Sequence, residues 1–218
     1  ISLIVEQKIN LKKDNIGVRP LPNLETKFVA ANTLIGLEKE SANLFTNPEI
    51  EKKKEQLKKI RHKYFEARTP KTKEKCREDD KQLRDELAEL LVTNHDLQPA
   101  TAKKIVAWNP YDQNASASFF DMEWMFGLKD GFDVVIGNPP WGVKLSVEEK
   151  QLFKTTYKEI DSSTPNSFSY FIGWANKNFN CVISYVLPDS FLIKDYSKTR
   201  SLIKDNVSEI IWYENTGI

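Results

Sequence analysis

The residues best suited to chemistry stand together at Asn138-Pro139-Pro140-Trp141, where they end the apolar run "FDVVIG" at residues 132–137. A proline fixes its own φ, lacks an N–H and holds the residue before it extended. Two in a row leave a rigid loop whose carbonyls have no adjacent donors competing for partners. The Asn138 carboxamide offers an acceptor oxygen and two donor hydrogens. With the Pro139 carbonyl it forms a pair of acceptors suited to a planar –NH2 group, which has two hydrogens to donate. Trp141 supplies a flat face for the ring carrying that amine. The exocyclic amine of a nucleobase has this shape. The plainer alternative is a strand-ending turn with Trp141 in the core. The position directly after "DVVIG", in a parallel-sheet setting, favours the binding loop.

Such a loop needs a scaffold. In open parallel sheets ligands bind at the carboxyl ends of the strands, and Asn138 is expected at such an end. Downstream, residues 146–158 read as a helix opened by Ser146, with Glu148 and Glu149 in its first turn. Residues 167–178 read as an apolar helix, "CVISYVLP" as a strand, residues 196–204 as a helix and "EIIWYEN" as a last strand. Alternating strands and helices, with strands apolar on both faces, indicate an α/β fold with a mostly parallel sheet. Upstream, residues 1–10 read as the tail of a helix and residues 27–31 as a strand followed by the loop "NTL". "PATAKKIVAW" reads as a short helix begun near Pro99, and "NPYDQNASAS" as loop.

Composition changes over residues 48–95, which are dominated by Lys, Arg, Glu and Asp. Ile50, Leu57, Ile60 and Tyr64 recur at helical spacing, and Leu83, Leu87, Leu90 and Leu91 do so beyond Pro70. Proline is poorly tolerated inside a helix. Two amphipathic helices folded back through that break are therefore expected, with Leu83, Leu87 and Leu90 on the buried stripe. A solvated helical insertion is one reading, and a nucleic-acid arm or partner-binding hairpin is the other.

The 218 residues are 40% apolar, enough for one large domain or a domain with an insertion. The formal net charge of +1 argues against a strong general attraction to nucleic acid, though not against a localised basic patch. Cys76 and Cys181 suggest neither a disulfide framework nor a zinc site. His62 and His95 have no metal-ligand partner at useful spacing. Pro188-Asp189 lacks the second acid and the lysine with which a nuclease would hold Mg2+. No apolar run approaches the roughly 18 residues of a membrane helix, and there is no signal-peptide pattern. The cytosol is the expected compartment, with no membrane partner. The chain begins at Ile1 rather than Met and is expected to be a piece of a longer protein.

"GFDVVIGNPPW" resembles the fourth motif of the amino-methyltransferases, most closely of the N6-adenine DNA methyltransferases. "PNLETKFVAANTL", "FFDMEWMFGL", "FSYFIGWANKNF" and "VISYVLPDSFL" follow an order similar to one branch of that family. That branch holds large restriction-modification polypeptides of the type IIG and related phage-defence kinds. The resemblance covers nearly all of the chain except the charged helical stretch.

It implies a Rossmann-like catalytic domain with a mostly parallel sheet, using S-adenosylmethionine and acting on double-stranded DNA with a flipped adenine. The domain would be incomplete and would carry the helical insertion. Residues 1–47 would be the amino-terminal part of the core, 48–106 the insertion and 107–218 the core with the motif. Carried over, Asn138 and the Pro139 carbonyl accept hydrogen bonds from the adenine amine. This shifts electron density onto its nitrogen and aligns it with the donor methyl. Pro140 shapes the wall between base and cofactor, and Trp141, where many relatives have Tyr or Phe, stacks on the base.

For the cofactor, "ANTL" resembles the family's third motif, so Asn32 would touch the cofactor's adenine, where Asp is common. Phe171 would make an apolar contact; ordinary helix-to-sheet packing is the alternative. The glycine loop of the first motif and the acid for the ribose are expected before Ile1. The target-recognition part and any nuclease are expected elsewhere in the longer protein, and the 218-residue piece alone is expected to be inactive. A protein glutamine-amide methyltransferase, which also uses an Asn-Pro-Pro-aromatic loop, and a non-catalytic DNA-binding or assembly module are the rival readings.

Overall fold

A computed structural model describes residues 10–12, 16, 22–37, 47–94, 96–160 and 166–213. The helix tail expected at residues 1–10 lies outside these apart from Asn10, as do His95 and the end of "EIIWYEN". The chain divides into two compact units, residues 1–129 and 130–218.

The first unit is largely helical. Three helices begin with proline at the first position, where its missing N–H costs nothing and its fixed φ suits the helix. These are α1 (Pro48–Glu66), α2 (Pro70–Thr93) and α3 (Pro99–Ala107). Asn47 caps α1 by accepting from the Glu49 N–H, and Thr69 caps α2 by accepting from the Thr72 N–H. Pro70 thus both ends the preceding helical pattern and opens the next helix. Ile50 and Leu57 of α1 and Leu87 and Leu91 of α2 are buried with Leu97, Ile105, Trp108, Phe119 and Trp124. Leu83 and Leu90 pack on the margin of this cluster. Full burial of each such aliphatic side chain contributes about 1.5–3 kcal/mol.

Two very short strands complete the unit. β1 (Ala30–Ala31) runs parallel to β2 (Ser116–Ala117), and a five-residue helix, α4 (Met122–Phe126), follows. The strand expected over residues 27–31 is therefore shorter, with a 3-10 turn at Glu25–Lys27 before it. β2 lies inside the stretch read as loop. Two residues are too few to show the alternation that marks a strand.

The second unit holds the parallel pair β3 (Val134–Gly137) and β4 (Val182–Tyr185) in the register Val134↔Val182 to Gly137↔Tyr185. Between them come α5 (Val147–Thr156) and α6 (Ser167–Asn178), the helical crossover that parallel strands require. Ser146 and Glu149 close a reciprocal capping box at the start of α5. After β4 come α7 (Ser190–Ile193) and α8 (Ser197–Ile203). Phe168, Ile172, Phe191 and Tyr196 form the core, with Tyr185 and Leu187 against it.

Two expectations are corrected here. The described part of "EIIWYEN", residues 209–213, forms no strand, because no ladder partner reaches it among the described residues. Nor are both faces of the sheet buried: Ile136 is 80% exposed, and Val134 and Val182 share its face. Apolar composition allows burial, but burial needs a packed layer, and this pair has one on a single face.

Candidate active site

The loop at residues 138–142 leaves the carboxyl end of β3 and is held on both sides. The Val186 N–H donates to the Gly137 carbonyl at 3.0 Å, tying the end of β3 to the segment after β4. A Cβ on Gly137 would stand 3.1 Å from Tyr185 Cε1, so a side chain there would require that ring to shift by a few tenths of an ångström. Burial raises the Tyr185 pKa to about 12, which keeps the phenol neutral there.

On the far side, Ser167 at the start of α6 donates its hydroxyl to the Pro140 carbonyl at 2.5 Å. Asn166 is the N-cap residue of α6, yet its side chain does not cap that helix. Its Oδ1 accepts instead from the Gly142 N–H at 3.3 Å. Gly142 has φ 66, a left-handed value that glycine adopts without strain. The first turn of α6 thus clasps the loop immediately before and after Trp141. An Asn-Ser pair at a helix start reads in sequence as an ordinary cap, so nothing in the sequence distinguishes this clasp.

Within the clasped loop the groups differ. The Gly137 and Pro140 carbonyls are taken up, whereas no hydrogen bond among the described residues reaches the Asn138 carboxamide or the Pro139 carbonyl. Asn138 is exposed, Pro139 buried and Pro140 exposed. Trp141 is 48% exposed and so is not a core aromatic.

Phe171 lies one turn beyond Ser167, on the same side of α6. It is half-buried and stands outside the core formed by Phe168 and Ile172 on that helix. Asn32 belongs to the first unit, directly after β1. Its N–H donates to the Ala117 carbonyl at 2.9 Å and its carbonyl accepts from Ile35. Its half-buried carboxamide has no hydrogen bond among the described residues. The structure therefore groups Asn138, Pro139, Pro140, Trp141 and Phe171 in one unit and places Asn32 in the other.

An open cleft lined by Asp130, Gly131, Phe132, Asp133, Asn180, Cys181 and Val182 lies at the amino ends of β3 and β4, opposite Asn138. Among the described residues no group of three or more His, Cys, Asp or Glu is placed to hold a metal ion. No helix among them is long and apolar enough to cross a membrane.

The clasp has a testable consequence. Ser167→Ala should lower any turnover that depends on this loop about fivefold, because losing one hydrogen bond costs about 1 kcal/mol. The loss should fall on turnover while the urea midpoint stays near wild type. Unchanged turnover would show that the loop holds its shape without Ser167.

The loop that ends β3 thus carries two acceptors that have no hydrogen bond among the described residues, beside a half-exposed tryptophan ring. Residues 23–217 match the family described as Eco57I restriction-modification methylase, and the chain belongs to that family. It is a methylase of restriction-modification systems, whose substrate is DNA. No curated protein matches the chain. No solved structure matches it either.

Proposed function

We propose that the chain, as part of a restriction-modification protein, serves the transfer of a methyl group from S-adenosylmethionine to the N6 amine of adenine in duplex DNA. It does so within a Rossmann-like domain of a type IIG or related phage-defence protein. The observation that carries this reading is the pair of acceptors with no hydrogen bond among the described residues, the Asn138 carboxamide and the Pro139 carbonyl, beside the half-exposed ring of Trp141.

Each residue has a part. Asn138 and Pro139 accept the two amine hydrogens, orient the nitrogen and polarise its N–H bonds toward loss of a proton. Trp141 stacks on a base flipped out of the duplex. Pro140, whose carbonyl accepts from the Ser167 hydroxyl, shapes the wall between base and cofactor. Catalysis then consists of positioning and electrostatics, with no covalent enzyme intermediate.

S-adenosylmethionine, when bound, supplies the electrophilic methyl group. Asn32, whose carboxamide has no hydrogen bond among the described residues, would meet its adenine edge, and Phe171, half-buried, would offer an apolar contact.

The test is a methylation assay of the intact protein with labelled donor, duplex DNA and a glutamine-bearing protein together. Label recovered as N6-methyladenine supports the reading. Label on cytosine or on glutamine overturns it.

Stacking is tested separately. Base–aromatic stacking is worth about 1–3 kcal/mol, so Trp141→Phe should retain much of the activity and Trp141→Ala should lose most of it. Equal rates for the two variants would reassign Trp141 to packing.

A further inference from the structure

The α1–α2 hairpin has two electrical ends. Residues 58–77, around its turn, carry nine Lys or Arg against two Glu, whereas residues 78–90 carry six Asp or Glu against two Lys or Arg. The whole-chain charge of +1 conceals this separation.

Three lysines away from the turn are held in ion pairs, whereas Lys52 and Lys81 of the hairpin are exposed and in none among the described residues. Lys53 pairs with Glu86 at 2.5 Å, Lys54 pairs with Glu51 and Glu123, and Lys129 pairs with Glu51. At the turn, Arg61 is consumed internally by Asp80, and Arg77 donates to the Tyr64 hydroxyl at 2.9 Å. The remaining seven basic residues of that stretch take part in no ion pair among the described residues. Six of them, Lys58, Lys59, Lys63, Arg68, Lys71 and Lys75, are exposed. Lys59 and Lys63 stand one turn apart on α1, and Lys71 and Lys75 one turn apart on α2, each pair spanning about 6 Å along its helix.

The turn that carries them is built firmly. The Asn23 side chain donates to the Tyr64 carbonyl at 2.7 Å and the Ala67 carbonyl at 2.6 Å, satisfying orphan carbonyls at the end of α1. Thr69 caps the start of α2. Tyr64 and Cys76 are buried beneath it. A merely solvated face is served by mixed charge, as the other end of the hairpin shows. Concentrating unpaired cations on a braced turn carries a repulsive cost that an external polyanion relieves.

We propose that the turn of the α1–α2 hairpin is a second DNA contact, one that grips the phosphate backbone of the duplex. This rests on the reading of the protein as a DNA methylase. Lysines act as point charges, so the contact supplies affinity and placement without reading sequence.

The test measures binding of a labelled duplex by the chain across a salt series. Wild type is compared with Lys59→Gln/Lys63→Gln/Lys71→Gln/Lys75→Gln and with Asn138→Ala, each checked for native helix content by circular dichroism. Each phosphate that is no longer neutralised takes about 0.9 from the slope of log K against log salt. The quadruple variant should therefore drop by roughly 2–4 in slope and bind at least tenfold more weakly at low salt. Asn138→Ala should keep the wild-type slope. A wild-type slope in the quadruple variant overturns the proposal, as does an absence of wild-type binding at low salt. A loss confined to anionic vesicles, with duplex binding intact, overturns it in favour of a lipid surface. Failure of the methylation reading shows instead as retained turnover in Asn138→Ala, independently of the slope.

Discussion

Replacing Asn138 with alanine should lower DNA methylation a hundredfold or more while leaving the fold as it is. The side chain is exposed and has no hydrogen bond among the described residues, so its removal orphans nothing. Surface changes of that kind shift stability by less than about 0.5 kcal/mol. The loop around it stays clasped, since Ser167 holds the Pro140 carbonyl and Asn166 holds the Gly142 N–H. What disappears is one acceptor preset at the reacting amine. Losing one such preorganised hydrogen bond costs about 3 kcal/mol in the transition state. The decisive comparison is turnover against the urea midpoint in the intact protein. A well-folded variant that turns over at the wild-type rate would falsify the assignment of the loop.

The second large effect is on stability, in the first unit. Asp80 is fully buried, with Arg61 Nε donating to its Oδ2 and Arg84 Nε to its Oδ1, both at 2.8 Å. The two arginines reach onward. Arg61 donates to the Trp124 carbonyl at 2.6 Å, and Arg84 donates to the Trp108 and Val106 carbonyls. Arg61 also lies over the Trp108 ring, 5.5 Å from its centroid. One carboxylate therefore joins α1 and α2 to the chain after α3 and to α4. Asp80→Asn keeps the shape but leaves two buried guanidiniums without their counter-charge. Breaking a buried ion pair from one side costs about 3–5 kcal/mol. Urea unfolding followed by the helical signal should show stability lowered by that much. Arg61→Met/Asp80→Leu/Arg84→Met, which removes the charges together, should cost far less. A small loss in Asp80→Asn would mean that water already reaches the cluster.

Some of this was legible from local pattern. Residues 167–178 form the helix their apolar spacing predicts, and the helix at Pro99–Ala107 begins at its proline. Pro70 breaks the charged stretch where expected, and Leu87 falls on the buried side. These features depend on neighbours within a turn or two of helix, and short-range order is written directly in residue order. The loop at Asn138 was legible for the same reason, since two consecutive prolines restrict the backbone wherever they occur.

Other features required the fold. Sequence gives Asp80 and Arg84 as two charges among many in a charged helix. Their burial depends on Arg61, nineteen residues earlier, and on carbonyls more than twenty residues later. The same is true of the turn at residues 66–70, whose carbonyls are capped by Asn23 from far upstream. The last apolar run, described over residues 209–213, shows the reverse. It has strand-like composition and no strand, because a strand exists only through its partner.

The amino-acid sequence by itself determined the chemistry on offer: a rigid amide loop ending an apolar strand, an aromatic beside it, and a basic turn between two amphipathic helices. Only the tertiary structure decided which of those groups are free to act. It occupied the Gly137 and Pro140 carbonyls and left Asn138 and Pro139 open. It likewise paired Lys53 and Lys54 toward one end of the hairpin and left the lysines at the turn without an ion pair among the described residues. The physical reason is that residue type fixes what a group can donate or accept. Whether it is already satisfied depends on contacts between segments distant in the chain.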